Sequence, residues 1–349
     1  MKKSICVLIA FISVVLNFTS CDSSKNQSYK KSNIVMDTAV TLSAYGANSK
    51  KAVEESFKKL DEINEMASTT ISDSDVYKIN SSSGSSYVKV HPEIMKMIET
   101  SIKYSKLSDG AFDITLGPII NLWGIGTDNE RLPLEEEIKT KLPLVGYDKI
   151  SINEKDSSVM LQKQGMAIDL GGIAKGFAAD EVLKIYKKYN IENGLINLGA
   201  SSIYAIGKNE ENKQWSVGIK HPRNDDPEKY MGIIKLSDEA LSTSGDYERY
   251  FIKDNKRYHH IIDPKTGYPV DNGVMSDTIV IDGNTEDNSM LSDLLTTTVF
   301  ALGPEKGLKL INNLQGISCE ITTSDYKVYT SDDFKDKIID LNEEFKFEN

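Results

Sequence analysis

The sequence is poor in cysteine, histidine, tryptophan and proline: its 349 residues include 3 Cys, 4 His, 2 Trp and 9 Pro. Three cysteines cannot staple a disulfide scaffold or form a Cys-rich zinc cluster. With 23 glycines, the chain is far from collagen-like or low-complexity composition. Cations are also short, at 41 Lys+Arg against 52 Asp+Glu, for a net charge of −11. That balance excludes a broad nucleic-acid-binding surface, because phosphate contacts need a cationic excess. An anionic ligand would have to be held by a local device, such as a helix N-terminus or a metal ion. What is present is globular composition, 39% hydrophobic and 27% charged, enough for one large or two modest domains with a real core.

The one long apolar run opens the chain. Lys2 and Lys3 precede Ile5 to Leu16, in which Ser13 is the only polar residue, and no charge follows until Asp22. A membrane span needs roughly 20 apolar residues, so residues 1–20 read as a secretory signal peptide. The run ends Phe18-Thr19-Ser20-Cys21 and resembles a bacterial lipoprotein signal, in which the cysteine becomes the lipidated first residue. Phe18 stands where Leu is usual; the competing reading is an ordinary cleaved signal with Cys21 there by chance. The expectation is an exported protein, lipid-anchored at the extracytoplasmic face of a bacterial membrane. A polar tether over 21–33 then leads into a domain spanning 34–345. Cys319 is left without a partner in an apolar context and is expected to be buried.

Periodicity predicts a strand over Asn33–Tyr45 and an amphipathic helix over Asn48–Ala67, with Ala52, Val53, Phe57, Leu60 and Ile63 on one stripe. Ser72–Ser86 reads as loop. Pro92 opens a second helix that stops before Gly110, and short strands follow between Val145 and Ala167. A third helix is expected from Ile173 to Tyr189 and a fourth from Ser289 to Leu302. Between them, residues 195–281 read as strands and hairpins. Without strict βαβ alternation, the fold class is α+β, two-layer, with mixed or antiparallel sheets and packed helices.

Four constellations could carry chemistry. Asp169-Leu170-Gly171-Gly172-Ile173-Ala174-Lys175-Gly176 opens a helix with glycines and a lysine. This is a cradle for phosphate or, on the plainer reading, a tight turn for helix–sheet packing. Asp293 and Thr297 lie four apart, opposite the apolar stripe of their helix. They suit a hard cation such as Mg²⁺, or else form a solvated face. The pair His259-His260 precedes the turn Asp263-Pro264-Lys265-Thr266-Gly267, and a neutral imidazole there could remove a hydroxyl proton. Asp109 to Trp123 and Ser242 to Tyr247 offer aromatic and backbone surfaces to a planar ligand, although core packing explains Phe112 and Trp123 as well.

Together these blocks, with Met36-Asp37-Thr38, resemble the ApbE family of FAD:protein FMN transferases over about Met36 to Gly303. The resemblance implies a Mg²⁺-dependent enzyme that moves the FMN moiety of FAD onto an acceptor threonine and releases AMP. Its fold would resemble a duplicated T-fold. The acceptors would be redox subunits carrying an Asp-x-x-Ser/Thr-Gly-Ala-Thr type segment. On matching positions, Asp293, Thr297 and the Gly172 carbonyl would hold the metal. Met36, Thr70, Ala111, Phe112, Asp113, Asp169, Lys175 and Ile262 would contact FAD, and His260 would be the base. Three positions depart from the family pattern. Asp37 replaces Gly, Thr70 stands where some members have a flavin-contacting Tyr, and Ile114 follows Phe112-Asp113 in place of Pro. Members without that Tyr can hydrolyse FAD to FMN and AMP in the absence of an acceptor, so same-site hydrolysis is an alternative. A non-enzymatic flavin-binding lipoprotein is a second.

Overall fold

Apolar residues alternating with polar ones build nine strands: β1 Ser28–Val35, β2 Thr38–Tyr45, β3 Asn193–Leu198, β4 Ser202–Ile206, β5 Glu239–Gly245, β6 Val274–Asp282, β7 Ile317–Thr323, β8 Lys327–Thr330 and β9 Lys346–Phe347. In the computed structural model, which describes residues 27–348 apart from 225 and 227, they form one sheet in chain order. Every neighbouring pair is antiparallel except the last, β8 with β9. The signal peptide, the lipidation candidate Cys21 and the tether up to residue 26 lie outside the described residues.

Four long helices punctuate the sheet: α1 Ser49–Ala67, α2 Pro92–Leu107, α3 Ala174–Lys188 and α4 Asn288–Ile311. Two strands, a helical stretch and two more strands follow one another twice, as β1, β2, α1 to α3, β3, β4 and then as β5, β6, α4, β7, β8. Helices α1, α3 and α4 pack on one face of the sheet and on one another. Their stripes meet the strand residues Val40, Leu42, Ile196, Ile279 and Ile281 in the main core. The opposite face of β4 to β8 is covered by the hairpin Trp215–Lys220/Tyr230–Leu236 and by Phe334, Ile338 and Phe345 from the C-terminal segment. The mixed α+β class expected from the sequence is the one found, and Cys319 is fully buried.

Four local expectations are refined. The stretch read as one strand is a hairpin: β1 turns into β2 through Met36 and Asp37, both left-handed with φ 54° and 56°. Glycine adopts that conformation without penalty and aspartate tolerates it, which gives Asp37 a backbone reason for standing there. Strand β1 also begins at Ser28, inside the expected tether. Within the presumed loop 72–86, Asp75–Ser81 is a helix whose Ser74 Oγ accepts the Tyr77 N–H at 2.9 Å, with Val76 and Ile79 buried beneath it. Finally, α4 is broken at Gly303 (φ 74°) before Pro304, close to the expected end at Leu302.

Candidate active site

The β1–β2 turn, the turn after β3 at Gly199 and the end of β5 open onto one cleft of about 550 Å³. Every position expected from the sequence to bind FAD or metal or to act as the base lines it: Met36, Thr70, Ala111, Phe112, Asp113, Asp169, Gly172, Lys175, His260, Ile262, Asp293 and Thr297. These residues come from β1–β2, the loop after α1, the segment before residues 117–123, the start of α3, the residues after β5 and the middle of α4. The nine-stranded sheet brings them together.

The floor of the cleft is the contact of α3 with α4. Gly176 lies so close to α4 that a Cβ there would overlap the Ser289 carbonyl oxygen and stand 2.7 Å from Asp293 Cβ. Its N–H, one of the donors that the first turn of a helix leaves without an intrahelical acceptor, donates to Asp293 Oδ2 at 2.9 Å. Ser202 Oγ donates to Asp293 Oδ1 at 3.0 Å, and Lys175 Nζ stands 4.0 Å from the same oxygen. Asp293 is therefore buried, only 5% exposed, and not part of a solvated helix face. One turn along, Asp180 of α3 accepts the Ser289 and Met290 N–H groups at 3.0 and 2.9 Å. It thereby caps α4 from outside, since Asp287 at the helix start makes no side-chain cap. Burial pushes the Asp180 carboxyl up to about 6, against the pull of those two N–H donors.

This arrangement leaves three oxygen donors at one place. Among the described residues no group donates to the Gly172 carbonyl, which lies just before the start of α3. The hydroxyls of Thr296 and Thr298 bond back to the Asp293 and Leu294 carbonyls at 2.8 Å, whereas the Thr297 hydroxyl forms no such bond. A Cβ on Gly172 would meet Phe112 at 3.2 Å and Thr297 Oγ1 at 3.4 Å, so glycine keeps this space open. A carbonyl, a hydroxyl and a buried carboxylate are the hard oxygen set that Mg²⁺ takes, with room for water or phosphate oxygens. Among the described residues no cluster of three or more His, Cys, Asp or Glu side chains offers a different metal site.

His260 follows the hairpin Tyr250–Lys253/Lys256–His259, a two-stranded sheet of its own. The inner face of the hairpin stacks Phe251 and Tyr258 on buried Trp123, whose indole N–H donates to the Gly267 carbonyl at 2.8 Å. The Arg249 carbonyl accepts the His260 N–H at 3.1 Å and lies 3.3 Å from its Nδ1. A carbonyl can only accept, so Nδ1 carries the proton and the Nε2 lone pair is available to act as a base. Desolvation by the cleft walls lowers the imidazole pKa, and the charges of Arg249, His259 and Lys175 act in the same direction. His260 is exposed to the cleft, and its imidazole is neutral at pH 7. His259 has the opposite arrangement: buried, its Nε2 meets the Val270 carbonyl at 2.9 Å and its Nδ1 accepts the Ile261 N–H. It is a structural histidine.

The family model described as the ApbE family matches residues 36–321. The chain belongs to the ApbE family. It is 31% identical over 308 residues to an FAD:protein FMN transferase of Klebsiella pneumoniae (88% of this chain, 93% of the relative). It is 34% identical to one of Haemophilus influenzae (77% and 78%). Among solved structures it superposes on the ApbE protein of Thermotoga maritima with a TM-score of 0.80 at 33% identity, covering 90% of this chain and all of the other. The flavin transferase ApbE of Vibrio cholerae gives 0.78 at 28% identity (89% and 99%).

Within this ApbE chain not every expected contact uses its side chain. The Asp113 carboxylate accepts from Thr115 N and Oγ1 at 2.8 and 2.6 Å and from Tyr147 N at 2.9 Å, so it braces the loop that forms the cleft wall. Burial is the largest influence on its pKa and raises it. Asp169 Oδ1 accepts the Gly171 N–H at 2.7 Å, which closes the glycine turn. Thr70 is exposed at the rim, 3.2 Å from Ser68 Oγ. Trp123 is core and does not face the cleft. Asn64 and Ser201 also line the cleft and carry no motif that would mark them, whereas Thr243 lies in the Ser242–Tyr247 constellation and Arg249 just beyond it. Arg249 is exposed and, among the described residues, forms no ion pair.

Proposed function

We propose that this chain moves the FMN moiety of FAD onto a threonine hydroxyl of a partner protein and releases AMP, with Mg²⁺ held by Asp293, Thr297 and the Gly172 carbonyl. The observation that carries this reading is the juxtaposition, in one cleft, of a neutral imidazole with a bare Nε2 and, beside Lys175, the Asp293 carboxylate with an unpartnered carbonyl and hydroxyl at Gly172 and Thr297. Membership of the ApbE family supports the same reading.

Bound Mg²⁺ would supply Lewis-acid neutralisation of pyrophosphate charge. The chain's own residues do the rest. The glycine turn at 171–172 lets backbone approach the pyrophosphate, and Lys175 adds a full positive charge at the start of α3. His260 Nε2 takes the proton of the acceptor hydroxyl. The oxygen attacks the phosphorus on the FMN side, and the bond to the AMP phosphate breaks as the threonine phosphoester forms. The apolar walls at Phe112, Leu116, Ile120 and Ile262 exclude competing water from one side. Hydrolysis of FAD at the same site is the second reading, favoured by Thr70, a small exposed residue at the rim.

Incubation of this protein with FAD, Mg²⁺ and a soluble acceptor domain bearing the Asp-x-x-Ser/Thr-Gly-Ala-Thr segment tests both. The expected result is a gain of one FMN mass on threonine with one AMP released, abolished by EDTA and by His260→Ala. AMP and FMN without a mass gain would establish the hydrolase instead. Undiminished labelling by His260→Ala would remove His260 as the base.

A further inference from the structure

The hairpin that carries His260 is basic in an acidic protein. From Glu248 to Arg257 there are four cations, Arg249, Lys253, Lys256 and Arg257, against Glu248 and Asp254. Lys256 is paired with Asp271 at 2.9 Å. Among the described residues Arg249, Lys253 and Arg257 form no ion pair. Arg257 donates to the Asp246 main-chain oxygen at 3.3 Å and lies 3.8 Å over the Tyr250 ring. On the face of Arg257, Ile252 is 63% exposed and Tyr250, under the guanidinium, 36%. The other face carries Phe251 and Tyr258 against Trp123 and, beyond them at the exposed tip, Lys253 and Lys256, so cations flank the tip on both faces.

Of the four cations only Arg249 lines the cleft, so the outer strip is beyond the reach of a small nucleotide held within it. A macromolecule presenting a hydroxyl to His260 must lie across what surrounds that residue, and the hairpin ends one residue before it. We infer that the Tyr250–His259 hairpin is the docking surface for the acceptor protein, and that its occupant is an acidic, extended segment flanking the modified hydroxyl. The inference rests on the transfer reading and adds to it the partner's charge and the surface it meets. Unneutralised cations around two apolar contacts give an interface that selects by charge and is weakened by salt.

The test uses the full chain with FAD, Mg²⁺ and the acceptor domain named above, at low and high ionic strength. Lys253→Glu lies at the exposed hairpin turn, outside the cleft. It should raise the acceptor KM about tenfold and flatten its salt dependence. FAD affinity, read by fluorescence quenching, and FAD breakdown without acceptor should stay at wild-type levels. Arg257→Gln should move the acceptor KM in the same direction. Lys51→Glu, the same charge change on exposed α1, should leave the KM alone. Wild-type acceptor KM in both hairpin variants, or an equal rise in Lys51→Glu, would overturn the docking surface while leaving transfer standing. No labelling by the wild-type chain would remove the transfer reading, and the docking surface with it.

Discussion

Adjacent histidines with different fates show how much a single hydrogen bond decides. His259 is buried with both ring nitrogens committed to backbone, and burial lowers its pKa. His260 has one nitrogen tied to the Arg249 carbonyl and the other facing the cleft. Desolvation and the neighbouring cations depress its pKa, so the imidazole keeps its lone pair to lower pH than an ordinary histidine, which protonates near 6.5. The sign follows directly: a base works in its neutral form, so activity falls only as pH drops through the depressed value. kcat/KM for FAD, which reports the uncomplexed enzyme, should stay level from pH 8 to about 6. Arg249→Gln removes a cation that disfavours the imidazolium and should move the acid limb up by about half a unit to one unit. A limb at the ordinary histidine value, unmoved by the variant, would show that His260 is not the titrating base.

At the level of elements, the floor of the cleft depends on two helices touching through backbone. The i, i+4 spacing of Asp293 and Thr297 is legible in the sequence, as are the glycine turn and the histidine pair. Asp293's burial is not, because it depends on Gly176, 117 residues away in the chain. Nor can local periodicity reveal that Asp180 caps α4, since a cap supplied by another helix leaves no mark near the helix start. The Met36–Asp37 turn is hidden for a different reason: Met36 does not mark a left-handed turn, Asp37 alone marks it weakly, and the apolar alternation runs on across it. Gly176→Ala tests the helix contact. The added methyl would overlap Ser289 and press on Asp293, forcing α3 and α4 apart. We expect a loss of about 1–3 kcal/mol of stability in urea denaturation. Mg²⁺-dependent turnover should fall at least about a hundredfold, since a 1 Å misplacement at a site can cost that much. A variant of normal stability and normal Mg²⁺ requirement would mean that the contact does not set the position of Asp293.

At the scale of the whole molecule, the sheet runs in chain order and gathers its ligand-facing loops at one end, so residues from Met36 to Thr297 share one cleft. No helix among the described residues is long and apolar enough to cross a membrane. We propose that attachment falls to the lipid expected on Cys21. Since β1 begins at Ser28, residues 21–27 are all that would separate that lipid from the sheet, a reach of at most about 25 Å when fully extended. The body would then work close to the bilayer, within range of any acceptor held at the membrane. Cys21→Ala should leave FMN transfer to a soluble acceptor domain unchanged while shifting the protein from the membrane pellet to the supernatant. Flavinylation of membrane-held subunits in cells should fall as the local concentration of enzyme is lost. A Cys21→Ala protein that still sediments with membranes would place the attachment elsewhere in the chain, and one that transfers poorly to a soluble domain would give residues 21–27 a role in the reaction itself.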